Sequence, residues 1–321
     1  MPTLRRLSLI TLGIAFVHVV FGAIVRISGS GMGCGDHWPT CDGAWVPQLT
    51  QPTLIIELTH RVLVTVLTLA VIGLAATALA RRTEAGVGGP GGVLRSASLA
   101  VGLVVVTALF GAVTVKAGNA PWATVGHWSL AASTLAVLAA TAIRAGGLGA
   151  PERWTPQPGR VARGAVAAAG LAFAVVIMGG LTAKIPGANA ACPSFPLCGA
   201  GLESSAALRR VQMTHRILAY LLLFHVVGLT IGLTKRQAAA AILRPLRIAL
   251  AATVLQVAIA AAMVLLQLPP VLRSLHQAVG VAIWLSLFST AYLAVRLTRS
   301  AAGADEAGVV AARPLAHGEA R

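Results

Sequence analysis

The feature that most constrains this chain is a series of apolar blocks, each of roughly 20 residues or more, the length a helix needs to cross a bilayer. They occupy about 5–26, 53–80, 94–116, 122–144, 160–184, 206–233, 244–267 and 271–298. Inside hydrocarbon every backbone N–H and C=O must find its partner within the protein, so isolated blocks of this kind become helices. The reading is an all-α integral membrane protein with eight transmembrane helices. Composition agrees: of 321 residues only 11% are charged, against about 25% in a soluble domain. The first block follows Arg5 and Arg6 as a signal peptide would. Its apolar stretch, Leu7 to Val25, is too long for such a segment and no small-residue cleavage site follows, so it reads as a retained helix.

A net charge of +16 raises the question of a nucleic-acid partner. The distribution of the cations excludes it. They sit in short runs at block ends, which is the pattern of membrane topology. Arg81, Arg82 and Arg95 share one connection, Arg144, Arg153, Arg160 and Arg163 another, and Lys235, Arg236, Arg244 and Arg247 a third. With Arg5, Arg6, Arg296, Arg299, Arg313 and Arg321 they mark one side as cytoplasmic, which puts both termini inside a bacterial cell membrane. The opposite side carries two longer loops, about 27–52 and 185–205. The tail, 301–321, has no apolar period and is expected to be disordered.

The chain repeats itself. Phe21-Gly-Ala-Ile-Val-Arg26 parallels Met178-Gly-Gly-Leu-Thr-Ala-Lys184. Each is followed by a loop with two cysteines, Cys34 and Cys41, then Cys192 and Cys198. Thr59-His60-Arg61 then parallels Thr214-His215-Arg216. The expected organisation is a four-helix half over 1–150 and another over 151–300. Four crossings per half is an even number, so the halves are parallel, two bundles related by a pseudo-twofold axis along the membrane normal.

Ionisable groups inside a membrane are costly and need a reason. His60, His127, His215 and His276 fall in the second, fourth, sixth and eighth blocks. At 1.5 Å rise per residue all four lie roughly 8–13 Å below the outer helix ends. Two helices per half thus offer an imidazole at one depth, and neutral imidazoles on facing helices suit the two axial positions of a haem iron. Zinc fits less well, because no third or fourth ligand stands at that level. The competing reading is four histidines hydrogen-bonded between helices. His18 and His225 have no counterpart in the other half, where Val176 and Ala70 stand, and read as core residues. His37, in the loop between two cysteines, and His317, in the tail, are assigned no firm role, although the place of His37 would let it contact a substrate.

Arg61 and Arg216 follow the second- and sixth-block histidines. Each suits a haem propionate through paired hydrogen bonds, or it reaches the headgroups. Glu57 shares a helix face with His60, three residues on, whereas the second half has Gln212. A carboxylate beside such a pocket can move protons and Gln cannot. The first half therefore reads as catalytic and the second as a fixed haem site. The alternative is an ion pair from Glu57 to Arg61. Trp128 follows His127 and Gln277 follows His276, so the two pockets differ there too. All four cysteines lie on the outer, oxidising side, and two disulfides, Cys34–Cys41 and Cys192–Cys198, are expected. The second reads as a staple. The first, on the Glu57 half, is open to a redox or substrate-handling role.

With these residues in place the chain resembles the haem A synthase family, in its bacterial, cysteine-containing branch. The resemblance covers about 1–300 and rests on Glu57-Leu-Thr-His60-Arg61, Gly126-His127-Trp128, Thr214-His215-Arg216, His276-Gln277 and a cysteine pair in each long outer loop. It implies a membrane oxidoreductase that takes haem O as substrate and gives haem A as product. A ring methyl would be oxidised through a hydroxymethyl to a formyl group, for use in terminal oxidases. It implies a permanent haem b on His215 and His276, substrate near His60 and His127, and Glu57 as the essential carboxylate, with Cys34 and Cys41 linked to function. Expected partners are haem O, membrane lipid, a haem O synthase (farnesyltransferase) and terminal oxidase assembly. Two other functions compete: a bis-histidine electron-transfer cytochrome and a haem transporter.

Overall fold

The structure is a computed structural model and describes residues 1–147, 157–199 and 204–311, with side chains up to Thr298. Eight helices order the chain: α1 Pro2–Ile27, α2 Pro52–Ala80, α3 Val93–Lys116, α4 Pro121–Arg144, α5 Gly159–Lys184, α6 Ala206–Lys235, α7 Ala240–Leu265 and α8 Pro270–Ala311. Each is long and apolar enough to cross a membrane. Among the described residues there is no strand, only an isolated bridge between Cys41 and Ala44. The apolar blocks thus become eight helices, with ends shifted by a few residues. The last helix runs on to Ala311, into the stretch read as tail, and residues 312–321 of that tail lie outside the described residues. So do Arg153, Arg313 and Arg321 of the cations read as cytoplasmic.

Local chemistry sets the helix ends. Proline opens α2, α4 and α8 at Pro52, Pro121 and Pro270, a position where its missing N–H would have had no partner in any case. Arg26, Lys116, Arg144, Lys184 and Lys235 fall in last turns, where a cation meets the negative end of the helix dipole. Within the spans, many hydroxyls bond back to the preceding turn, as Thr134 Oγ1 does to the Leu130 carbonyl at 2.9 Å, which pairs a polar group that hydrocarbon cannot solvate.

Packing divides the helices into two sets. In the first, α1 meets α2, α2 meets α3, α3 meets α4, and α4 returns to α1. In the second, α5, α6, α7 and α8 close the same ring. Across the seam α1 touches α8, α4 touches α5, and α4 touches α8. Helices α4 and α8 are central: 56% and 50% of their spans are buried, against 17–39% in the others. The main core runs through the seam, joining Leu135, Leu138, Ala139 and Ala142 of α4 to Ala165, Ala168, Ala172, Leu287 and Leu293. Small side chains on α5 let backbones come close, which is how helices gain contact in lipid. Trp284 of α8 donates its indole N–H to the Ala132 carbonyl of α4 at 3.0 Å. At the end of α4, Arg144 donates to the Tyr292 hydroxyl of α8.

Candidate functional site

In the second half, His215 of α6 and His276 of α8 face each other with ring centroids 6.5 Å apart and planes at 75°. Two metal–imidazole bonds of about 2 Å, plus roughly 1 Å from each nitrogen to its ring centre, separate two centroids by about 6 Å. The observed spacing therefore fits one iron held between two imidazoles. Glycine makes room for the first ring: a Cβ on Gly179 of α5 would stand 3.0 Å from His215 Cε1. His276 has a buried Nδ1 without a hydrogen-bond partner, whereas His215 has the Val175 backbone of α5 beside it.

The first half repeats the plan with a difference. His127 of α4 points Nδ1 at the Thr107 carbonyl of α3, 3.0 Å away. Donation there fixes the tautomer and leaves Nε2 as a free lone pair, the state a metal ligand needs. A Cβ on Gly111 would meet this ring at 3.3 Å, and one on Gly22 would meet His60 at 3.4 Å. The ring partners of His60 are His18 and Phe21, both on α1. His18 lies flat on it at 4.4 Å and 12°, and Phe21 lies parallel at 6.4 Å. Among the described residues His60 and His127 make no ring contact, although each lies within electrostatic reach of the other. The second-half pair is thus in ring contact, and among the described residues the first-half pair is not.

Glu57 and Arg61 form a unit with the first disulfide. Glu57 is only 4% exposed. Its Oε1 accepts from Arg61 Nη2 at 2.6 Å and its Oε2 accepts from the Cys34 N–H at 2.9 Å. Arg61 also donates to the carbonyls of His37 and Thr40. The ion pair weighed in the sequence is present, and it extends into the loop. The second half lacks the carboxylate. There Arg216 Nη2 donates directly to the Cys192 carbonyl at 2.7 Å, and Gln212 donates to the Asn189 carbonyl at 3.2 Å. In both halves the arginine fastens the cysteine loop over the histidine helix. Only in the first does a buried anion stand between them. Both disulfides form as expected, Cys34–Cys41 and Cys192–Cys198.

Among the described residues no three His, Cys, Asp or Glu side chains converge as a metal cage. Two apolar grooves, one along Ile72, Leu79 and Leu94 and one along Phe173, Trp284 and Phe288, touch none of the four histidines. His225 behaves as a core residue, with Nε2 at 3.0 Å from the Gly164 carbonyl. His37 presents its backbone to Arg61 and its ring to Asp36 at 3.5 Å. His18 is buried and packed, as a core residue is, and sequence reasoning did not anticipate that its packing partner is the ring of His60. The lack of a counterpart in the repeat made His18 look like packing alone. The available signal was its place four residues before Gly22, one turn along the helix face that receives His60.

Residues 5–288 match the model of the COX15-CtaA family, described as cytochrome oxidase assembly protein. The chain is 30% identical over 233 residues to the haem A synthase of Geobacillus thermodenitrificans, covering 70% of this chain and 69% of that one. It is 29% identical over 223 residues to the haem A synthase of Shouchella clausii, covering 68% and 72%. A shorter stretch of 63 residues is 46% identical to the protoheme IX farnesyltransferase of Thermus thermophilus, 19% of this chain and 10% of that one.

Proposed function

This chain belongs to the COX15-CtaA family of cytochrome oxidase assembly proteins, and on that footing we propose that it works as a haem A synthase, a membrane oxidoreductase that converts haem O to haem A. One observation carries the division of labour: the two histidine pairs are unequal. His215 and His276 are at a ring spacing that suits one iron, whereas His60 is stacked on His18 and, among the described residues, makes no ring contact with His127. The closed pair suits a resident haem b and the open pair a porphyrin that enters and leaves. A cytochrome with two fixed haems would call for neither this inequality nor Glu57 in one half alone.

Haem b, when bound, supplies one-electron transfer. His215 and His276 would hold it, with Gly179 leaving room for the ring of His215. Haem O is the substrate, and its farnesyl tail keeps it in the bilayer, so a site between membrane helices is the place to receive it. His60 and His127 take its iron, and His18 and Phe21 hold the His60 ring in plane. Conversion of a ring methyl through a hydroxymethyl to a formyl group takes up one oxygen atom, as from water, and releases four electrons to an external acceptor and four protons. Glu57 is the carboxylate that takes up protons. Each of its oxygens accepts one hydrogen bond in the structure and keeps a second acceptor position. Arg61 and Arg216 fix the cysteine loops over the two sites. Cys34–Cys41 acts with Glu57, and Cys192–Cys198 is a staple.

The halves 1–150 and 151–300 are related by a pseudo-twofold axis along the membrane normal. The seam supports this, because exchanging the halves turns the α1–α8 contact into α5–α4 and leaves α4–α8 unchanged. The cations at helix ends support a bacterial plasma membrane location with both termini in the cytoplasm. The similarity to a protoheme IX farnesyltransferase supports a partner that makes haem O, with terminal oxidase assembly downstream. The test is expression in cells that make haem O, followed by chromatography of extracted haems. Haem A or its hydroxymethyl precursor should appear, and haem O left intact beside bound haem b would favour the cytochrome.

A further inference from the structure

Arg26, in the last turn of α1, reaches across the seam. Its Nη2 donates to Gln277 Oε1 of α8 at 3.3 Å, and its guanidinium lies over the Trp128 ring of α4 at 5.6 Å. These are the residues directly after His276 and His127. One cation therefore touches the neighbour of an iron-ligand candidate in each half. Its Nε is buried and has no hydrogen-bond partner. Lys184, which ends α5 as Arg26 ends α1, and Arg273 both lie within its electrostatic reach. Arg273 stands one turn outward of His276 on the same face of α8.

Like charges brought together at the rim of a bilayer repel unless an anion joins them. Among the described residues none of these three cations is in an ion pair; the described pairs involve Met1, His37, Arg61, Arg81 and Lys116. The helix dipole accounts for one cation at the end of α1 and another at the end of α5. It does not account for a guanidinium laid between Trp128 and Gln277 with a bare Nε. A guanidinium in this setting is a fork for a carboxylate.

We propose that Arg26, with Lys184 and Arg273, forms a carboxylate site at the seam that binds a propionate of the haem held by His215 and His276. The proposal rests on the reading of that histidine pair as a haem site. Propionates cannot stay in hydrocarbon, so a porphyrin at the depth of His276 turns them outward, toward the turn that carries Arg273. Gln277 helps to aim the fork and Trp128 covers its face. A lipid phosphate at the outer surface offers similar chemistry, but its loss would leave the haem unchanged.

The test uses the purified holoprotein, with a redox titration of its haem b and the rate of haem transfer to excess apomyoglobin. In Arg26→Gln an uncompensated propionate favours ferric iron. The midpoint should fall, by about 59 mV for a tenfold change in the ratio of ferric to ferrous stability. Haem loss should be about tenfold faster. Arg26→Lys, which keeps the charge, should hold most of the potential. Unchanged midpoint and haem loss in Arg26→Gln overturns the proposal. Equal displacement of the midpoint in Arg26→Gln and Arg26→Lys also overturns it, because that is a packing effect. If Arg26→Gln does not accumulate in the membrane, Arg273→Gln takes its place, and a wild-type midpoint there counts against the site. A wild-type protein with no Soret band would instead overturn the histidine-pair reading beneath it.

Discussion

Glu57 and Cys34 are joined by a hydrogen bond of 2.9 Å from the cysteine N–H to Oε2 of the carboxylate. The buried anion of α2 and the first disulfide are therefore one unit, and Arg61 closes it from the other side. Replacing the carboxylate with its amide removes the charge and the proton-accepting oxygen while keeping the shape. In Glu57→Gln we expect conversion of haem O to fall by about a hundredfold or more, in the range of general acid–base effects. Haem b content should be that of the wild type. Normal formation of haem A by this variant would remove Glu57 from the chemistry.

His18 holds His60 by ring stacking at 4.4 Å, and such aromatic pairs contribute about 0.5–1.5 kcal/mol. His18→Ala should therefore lower the rate of conversion by about threefold to tenfold, with haem b untouched. His18→Phe should recover most of that loss, because the flat neighbour is restored. Equal damage in the Ala and Phe variants would mean that His18 acts through a ring nitrogen and not through its face.

The glycines give a graded test of the ring positions. A Cβ at Gly179 would stand 3.0 Å from His215, whereas one at Gly22 would meet His60 at an ordinary 3.4 Å. Overpacking of this kind costs about 1–3 kcal/mol. Gly179→Ala should purify with clearly less haem b, read from the Soret absorbance per protein. Gly22→Ala should match the wild type in haem b and convert haem O normally. Full haem content in Gly179→Ala would show that the ring does not sit where the structure places it.

The two disulfides are expected to separate function from stability. Changing Cys34 and Cys41 to Ser frees the loop attached to Glu57, so conversion should drop while haem b remains. Changing Cys192 and Cys198 to Ser leaves that unit intact. It should lower stability by about 2 kcal/mol, as expected for a short closed loop, seen as earlier thermal loss of the Soret band. If both double variants lose conversion equally, the link between the first pair and the chemistry is lost.

Much of this was legible in the sequence because membrane physics leaves few choices. Apolar blocks of spanning length had to become helices, and the four histidines, Glu57 and the cysteine pairs stood out as costly or repeated residues. What stayed hidden depends on side chains that meet across helices. Arg61 and Arg216 read as reaching either a propionate or the headgroups, and in the structure both bond to the cysteine loops, Arg61 to Glu57 as well. Spacing along one chain does not reveal which carbonyls a folded loop returns to a guanidinium. The contact of His18 with His60 was not foreseen because the repeat has no partner for His18, and Arg26 looked like an ordinary helix-end cation. Its reach to Gln277 becomes visible only once α1 lies against α8.

The most direct test of the whole account is the electron paramagnetic resonance spectrum of the oxidised, purified protein from cells that make haem b but no haem O. An iron gripped by His215 and His276 should give a low-spin ferric signal that disappears in His276→Ala and persists in His127→Ala. A signal that survives His276→Ala, or a wild-type protein without one, would contradict the pairing on which both sites are built.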